Sequence, residues 1–203
     1  MVRRPVTRHR AVLSVGSNLG DRLGTLQGCV HAIGRLPDTD VLARSPVYET
    51  APVGGPVQPD YLNAVLIIST GLAPRALLTA TQRVEAAFGR VRASLARPLP
   101  GGPIPPDPPG EETPPPFPPE FQRYGPRTLD IDIISYDEEI SDDPVLTLPH
   151  PRARERAFVL APWHDIDPAA VLPGHGPVAG LLARTGHAGV GVRRRPDLEL
   201  DAP

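Results

Sequence analysis

The chain has 203 residues, 40% of them hydrophobic, and a net charge of −2. That is enough for one substantial core, and too balanced for disorder or an electrostatic grip on nucleic acid. All 21 Lys+Arg positions are arginine, which excludes a Gly-Lys-Ser/Thr phosphate loop, because no lysine can reach the β/γ-phosphates. A phosphate clamp here needs arginine forks, backbone amides and metal. The single Cys29 excludes an intrachain disulfide and a cysteine-based zinc site, and fits a reducing cytoplasm.

In chain order, residues 1–10 read as a basic, flexible N-terminal extension. The apolar run that follows, Ala11–Val15, is too short for a signal-peptide core. No segment approaches a membrane span, so a soluble cytoplasmic protein is expected, without nucleic-acid or membrane partners and as a monomer. Ala11–Val15 reads as a buried strand ending at Gly16-Ser17-Asn18. Asn18 or Asp21 can cap a helix over Arg22–Leu36, closed by Pro37. Val41–Glu49 predicts a strand, Thr50–Pro59 a Gly/Pro-rich loop, and Tyr61–Thr70 a second long strand of β-prone residues. Pro74 opens a helix whose apolar positions Leu77, Leu78, Val84 and Phe88 run up to Gly89. Thr128–Tyr136 supplies a further strand.

The resulting order is βαββαβ, a ferredoxin-like α+β sandwich with helices on one face of an antiparallel sheet. A small C-terminal extension follows, with a short strand or helix turn at Ala157–Ala161 and a small helix at Pro177–Thr185. Residues 11–185 form one domain, and 186–203 read as a frayed tail. Between the second helix and the last core strand, residues 98–119 contain 12 prolines in 22 positions. This insert predicts a polyproline-like loop beside the site.

The chemistry concentrates in Arg123–Ile134, Arg-Tyr-Gly-Pro-Arg-Thr-Leu-Asp-Ile-Asp-Ile-Ile. Residues two apart on a strand share a face, roughly 6–7 Å apart, so Asp130 and Asp132 sit side by side while Leu129, Ile131 and Ile133 enter a core. Bare charges on such an apolar strand are costly unless paired or metal-bound. Mg²⁺ binds through carboxylates plus substrate phosphates. With Arg90 and Arg92 after the Gly89 break and Arg127 beside the aspartates, the pattern points to an enzyme acting on ATP. His150, held between two prolines, and Arg156 form a further candidate group, whereas Arg152 and Arg154 read as surface charges. Tyr61 and Asn63 share a strand face and suit a flat heteroaromatic ligand.

Gly16-Ser17-Asn18-Leu19-Gly20-Asp21, Gln58-Pro59-Asp60-Tyr61-Leu62-Asn63, Gly125-Pro126-Arg127-Thr128-Leu129-Asp130-Ile131-Asp132 and Leu148-Pro149-His150 occur in this order. Over about residues 11–173 the chain resembles the 6-hydroxymethyl-7,8-dihydropterin pyrophosphokinases. The resemblance implies transfer of the β,γ-diphosphate of ATP to the pterin hydroxymethyl oxygen, with release of AMP, in folate biosynthesis. It implies two Mg²⁺ ions on Asp130 and Asp132. Arg90, Arg92, Arg127 and Arg156 would grip phosphates, with His150, Gln82 and Glu85 at the nucleotide. Tyr61 and Phe158 would sandwich the pterin, and Asn63 with the backbone around Thr50 and Val53 would read its edge. Tyr124, which would cover the pterin, stands where the family often has tryptophan, Pro151 where it often has an aromatic residue, and Ala93 where it often has a basic one. No side chain stands out as a general base. A γ-phosphate kinase and a silent ferredoxin-like binding module are the rival readings.

Overall fold

A computed structural model describes residues 7–52, 57–89, 127–185 and 191–203. Val53, Arg90, Arg92, Ala93, Tyr124 and the proline-rich insert lie outside them. The sheet is built on β1 (His9–Ser17), which pairs antiparallel with β4 (Tyr61–Thr70) on one side and β5 (Asp130–Tyr136) on the other. Helix α1 (Arg22–Gly34) starts at Asp21, whose carboxylate accepts the Gly24 N–H at 2.9 Å. Of the two cap candidates, Asp21 is therefore the one used. Helix α2 (Pro74–Ala87) opens on its proline and stops before Gly89, whose φ is +81°, a conformation that glycine adopts without strain.

The expected single strand over Val41–Glu49 is two strands, β2 (Thr39–Arg44) and β3 (Tyr48–Thr50), both paired with β4. Pro46 cannot donate to a ladder, and the break is stitched by Ser45. Its N–H donates to the Val65 carbonyl and its hydroxyl accepts the Val65 N–H, each at 2.9 Å. The order β5-β1-β4-β3, with α1 and α2 between strands, is the ferredoxin-like α+β arrangement.

Both helices cover one face of the sheet. Leu13, Val15, Leu66, Ile68, Leu129, Ile131 and Ile133 meet Leu26, Val30, Ile33 and Leu77 there, each contributing on the order of 1.5–3 kcal/mol through burial. Among the described residues the opposite face is covered at one end only, by α3 (Ala157–Ile166) and α4 (Val178–Thr185). Trp163, Val159, Leu160 and Leu181 pack on Val12, Val65, Ile67 and Ile134. Ala157–Ala161 is thus the start of a helix that continues to Ile166. A short hairpin, β6 (Val171–Leu172) and β7 (Gly176–Pro177), joins α3 to α4.

Two boundaries differ from the sequence reading. His9 and Arg10, assigned to the flexible extension, belong to β1, where the Arg10 N–H donates to the Asp137 carboxylate at 2.7 Å. At the other end, the supposed tail carries β8 (Val192–Arg194), which pairs antiparallel with β3 and closes that sheet edge. Leu200 is only 6% exposed within the main core, and Gln27 exchanges hydrogen bonds with the Asp201 backbone. The run of three arginines looks solvated in sequence, but Glu49 on β3, 8% exposed, answers it. Its carboxylate accepts from Arg193 at 2.6 Å, Arg195 at 2.8 Å and Arg22 at 3.3 Å.

The Arg193 hydrogen bond, against the opposing effect of burial and with Arg195 and Arg22 assisting, lowers the Glu49 pKa below its ordinary 4.5. A depressed carboxylate pKa stabilises the fold above the unfolded value and loses that contribution as pH falls through the folded one. Glu49→Gln is expected to lower Tm at pH 7 by about 2–6 °C. Thermal melts at stepwise lower pH should show this deficit shrinking once the pH drops below 4.5. A deficit that stays constant down to strongly acid pH would contradict the role given to the charge.

Candidate active site

The end of the sheet face that α3 and α4 leave uncovered carries the candidate site. Along β1 this face reads Val12, Ser14, Gly16. Along β4, running the other way, it reads Ile67, Val65, Asn63, Tyr61. Along β5, also read from the covered end, it is Ile134, Asp132, Asp130. Each strand keeps its period of two, but the face changes from apolar to polar partway along. Register makes the change coincide across strands: Gly16 lies opposite both Asp130 and Asn63, and Ser14 opposite Asp132. Asn63 is in turn opposite Tyr48, and Tyr61 opposite Thr50.

Gly16 is required by this row. A Cβ there would stand 2.8 Å from the Asn63 Oδ1, so any side chain would push the amide off the sheet floor. Asn63 is buried and its Nδ2 donates to the Thr50 hydroxyl at 2.7 Å.

Both half-buried aspartates face an arginine. The Arg127 Nη1 donates to the Asp130 Oδ2 at 2.6 Å, and the Arg156 Nη1 to the Asp132 Oδ2 at 2.9 Å. Burial works against the Arg127 charge, but the Asp130 carboxylate outweighs it and raises the guanidinium pKa. The Arg156 guanidinium also stacks over the Phe158 ring, 5.5 Å from its centroid, a cation–π contact that fixes both groups. His150 is anchored by its own N–H on the Ile134 carbonyl, and its Nδ1 accepts the Arg152 N–H at 3.1 Å. The ring proton therefore sits on Nε2, which faces the Asp132 carboxylate at 3.7 Å. Burial lowers the pKa of this imidazole, opposed by Asp132.

A cavity of about 670 Å³ opens over this floor. Of the residues expected from sequence, it brings together Thr50, Tyr61, Asn63, Arg127, Asp130, Asp132, His150, Arg156 and Phe158. Ser14, Gly16 and Gln58 also line it, and Arg152, read as a surface charge, stands at its wall. Gln82 and Glu85 do not line it. Glu85 is 1% exposed and accepts the Ile131 N–H at 2.8 Å, holding β5, which is an edge strand of the sheet, against α2. That is a structural service to the strand bearing the aspartates, and no spacing rule in the sequence distinguishes it from a ligand contact. Pro151, the departure from the resemblance noted in the sequence, lines the cavity.

Among the described residues no group of three or more His, Cys, Asp or Glu side chains forms a metal cluster. Two carboxylates on one strand face, open to a cavity walled by arginines, are the donor set that suits Mg²⁺, which completes its shell with water and substrate phosphates.

Comparison with known proteins gives the same direction. The family model described as 7,8-dihydro-6-hydroxymethylpterin-pyrophosphokinase (HPPK) matches residues 12–100 and 118–168. A 2-amino-4-hydroxy-6-hydroxymethyldihydropteridine pyrophosphokinase of Methylorubrum extorquens is 36% identical, covering 89% of this chain and 96% of that one. The Mycobacterium tuberculosis protein of the same name is 40% identical, covering 86% and 82% respectively. Among solved structures, the wild-type Plasmodium falciparum HPPK-DHPS crystallised with STZ-DHP shares the fold with a TM-score of 0.60 at 12% identity. It covers 94% of this chain, which spans only 45% of the Plasmodium chain. Matched over most of its length by the family model and by relatives above one-third identity, the chain belongs to the 7,8-dihydro-6-hydroxymethylpterin-pyrophosphokinase family.

Proposed function

We infer that the protein transfers the β,γ-diphosphate of ATP to the hydroxymethyl oxygen of 6-hydroxymethyl-7,8-dihydropterin, releasing AMP, as a step of folate biosynthesis. The observation that carries this reading is a single cavity with two unlike ends. Asp130 and Asp132 with Arg127 and Arg156 make a charged end, and Tyr61, Asn63, Thr50 and Phe158 make a flat, hydrogen-bonding one. One end fits a triphosphate and the other a bicyclic heteroaromatic alcohol.

Phosphoryl transfer asks a protein chiefly for alignment and charge neutralisation. Asp130 and Asp132 would hold two Mg²⁺ ions, which when bound neutralise charge on the phosphate oxygens. Arg127 and Arg156 are the guanidinium forks for the phosphates, with Arg90 and Arg92 assigned the same task by family resemblance. The Nε2–H of His150 faces this end and donates to the nucleotide. Tyr61 and Phe158 flank the pterin ring. The Asn63 amide and the Thr50 hydroxyl meet its polar edge, so the hydroxymethyl oxygen is held in line with the β-phosphorus.

Two features support the setting of the reaction. No helix among the described residues is long and apolar enough to cross a membrane, and the single Cys29 is buried, which agrees with a reducing cytoplasm. We assign a monomer, with the β3 edge paired by β8 from within the same chain.

Asp132→Asn keeps the shape of the side chain and removes its charge. It should lower kcat/KM for AMP formation by roughly 10³-fold or more while Tm moves only slightly. Unchanged AMP release in a nucleotide assay would refute the assignment. The same assay separates the rival kinase chemistry, since AMP marks diphosphate transfer and ADP marks phosphate transfer. Phe158→Ala should raise KM for the pterin about tenfold and KM for ATP by less, the latter through the lost contact with Arg156, measured by steady-state kinetics with each substrate varied in turn. Equal loss for both substrates would place Phe158 elsewhere in the mechanism.

A further inference from the structure

Asn18 is 1% exposed and does not line the cavity, yet its side chain joins the two ends of the site. Its Oδ1 accepts the Arg127 N–H at 2.7 Å, and its own N–H donates to the Arg127 carbonyl at 3.1 Å. Its Nδ2 donates to the Gln58 Oε1 at 2.9 Å and to the Pro59 carbonyl at 3.2 Å. The Gln58 Oε1 also accepts from the Tyr61 hydroxyl at 3.3 Å. One amide thus ties together segments 109 and 40 residues away from it in sequence. The first delivers the arginine that pairs with Asp130, the second the tyrosine at the flat end.

On the ring side the Arg22 Nη1 also donates to the Asp60 carbonyl at 2.6 Å, but the Asn18 amide reaches both segments. Arg127 lies just outside β5 and the Gln58–Asp60 stretch just outside β4, so sheet hydrogen bonds do not set their separation. A buried amide that loses a partner is penalised by about 1–3 kcal/mol, which makes the geometry stiff. Serine or threonine in place of Asn18 cannot supply an acceptor on one side and a two-pronged donor on the other.

We propose that Asn18 is a positioning residue that sets the distance between the phosphate end and the ring end of the cavity, with Gln58 as its arm to Tyr61. The role rests on the functional reading above. The acceptor half of the amide serves Arg127 and the donor half serves the ring side, so the two halves are separable by substitution.

Asn18→Asp keeps an acceptor for the Arg127 N–H and turns a carboxylate oxygen towards the two acceptors, Gln58 Oε1 and Pro59 O. Gln58→Leu removes the Oε1 acceptor that the Asn18 amide and the Tyr61 hydroxyl share. Binding of a non-hydrolysable ATP analogue and of the pterin would be measured separately by calorimetry for the wild type, both single variants and the double variant, with a thermal melt of each. Both single variants should weaken pterin binding on the order of 10-fold or more, and change nucleotide binding less than about threefold. The double variant should be little worse than the poorer single one, because both act through one network. A general packing defect would weaken both ligands together, and that result would overturn the role. So would unchanged pterin affinity in Gln58→Leu, which keeps the test alive should Asn18→Asp fail to fold. Wild-type protein that bound neither ligand would sink the functional reading and this role with it. Normal wild-type binding without the selective loss would sink the role alone.

Discussion

The register of β1 between β4 and β5 is the constraint on which everything else rests. It sets Gly16 between Asp130 and Asn63 and Ser14 beside Asp132, so the polar ends of three strands fall together on one face. Side chains on a strand alternate with a strict period of two, and a slip of one residue would exchange the faces. Here that slip would drive both aspartates into the cluster of Leu13, Val15 and Leu66 and expose Ile131 and Ile133 to water. The buried residues on the opposite face thus hold the chemistry in place. The same sheet face is core where α3 and α4 cover it and candidate active site where they do not.

Charge is managed locally in that open half. Asp130 with Arg127 and Asp132 with Arg156 form short ion pairs, so neither half-buried carboxylate stands unbalanced. Partly exposed pairs of this kind add little to stability. Under the proposed function their value is chemical: the arginines would exchange carboxylate for phosphate oxygens while the carboxylates would turn to a divalent cation, with charge balanced throughout. Placing Arg156 over Phe158 couples the phosphate end to the ring end, as Asn18 does from beneath.

Much of the frame was readable in the sequence because it depends on local signals. Alternation around Asp130 and Asp132, the proline at the start of α2, and the acidic cap at Asp21 each follow from neighbouring residues. What was not readable depends on partners far along the chain. Residues 193–195 look like a solvated arginine run until Glu49 on β3 is known to face Arg193 and Arg195. Glu85 sits in the helix turn expected to meet a nucleotide, but the unpaired Ile131 N–H of edge strand β5 captures it. Asn18 has the composition of a helix cap, and only the return of Arg127 and Gln58 to its two sides reveals its work. The expected residues on regular strands line the cavity, whereas the bonds of Asn18 to the backbone of remote loops carry no local signal.

The most direct test is to crystallise the protein with Mn²⁺, a non-hydrolysable ATP analogue and the hydroxymethyl pterin, and to locate the ions by anomalous scattering. The account predicts two manganese peaks bridging the triphosphate and the Asp130 and Asp132 carboxylates, with the pterin between Tyr61 and Phe158. Ions and nucleotide bound away from those two carboxylates, with Arg127 and Arg156 still paired to them, would contradict it.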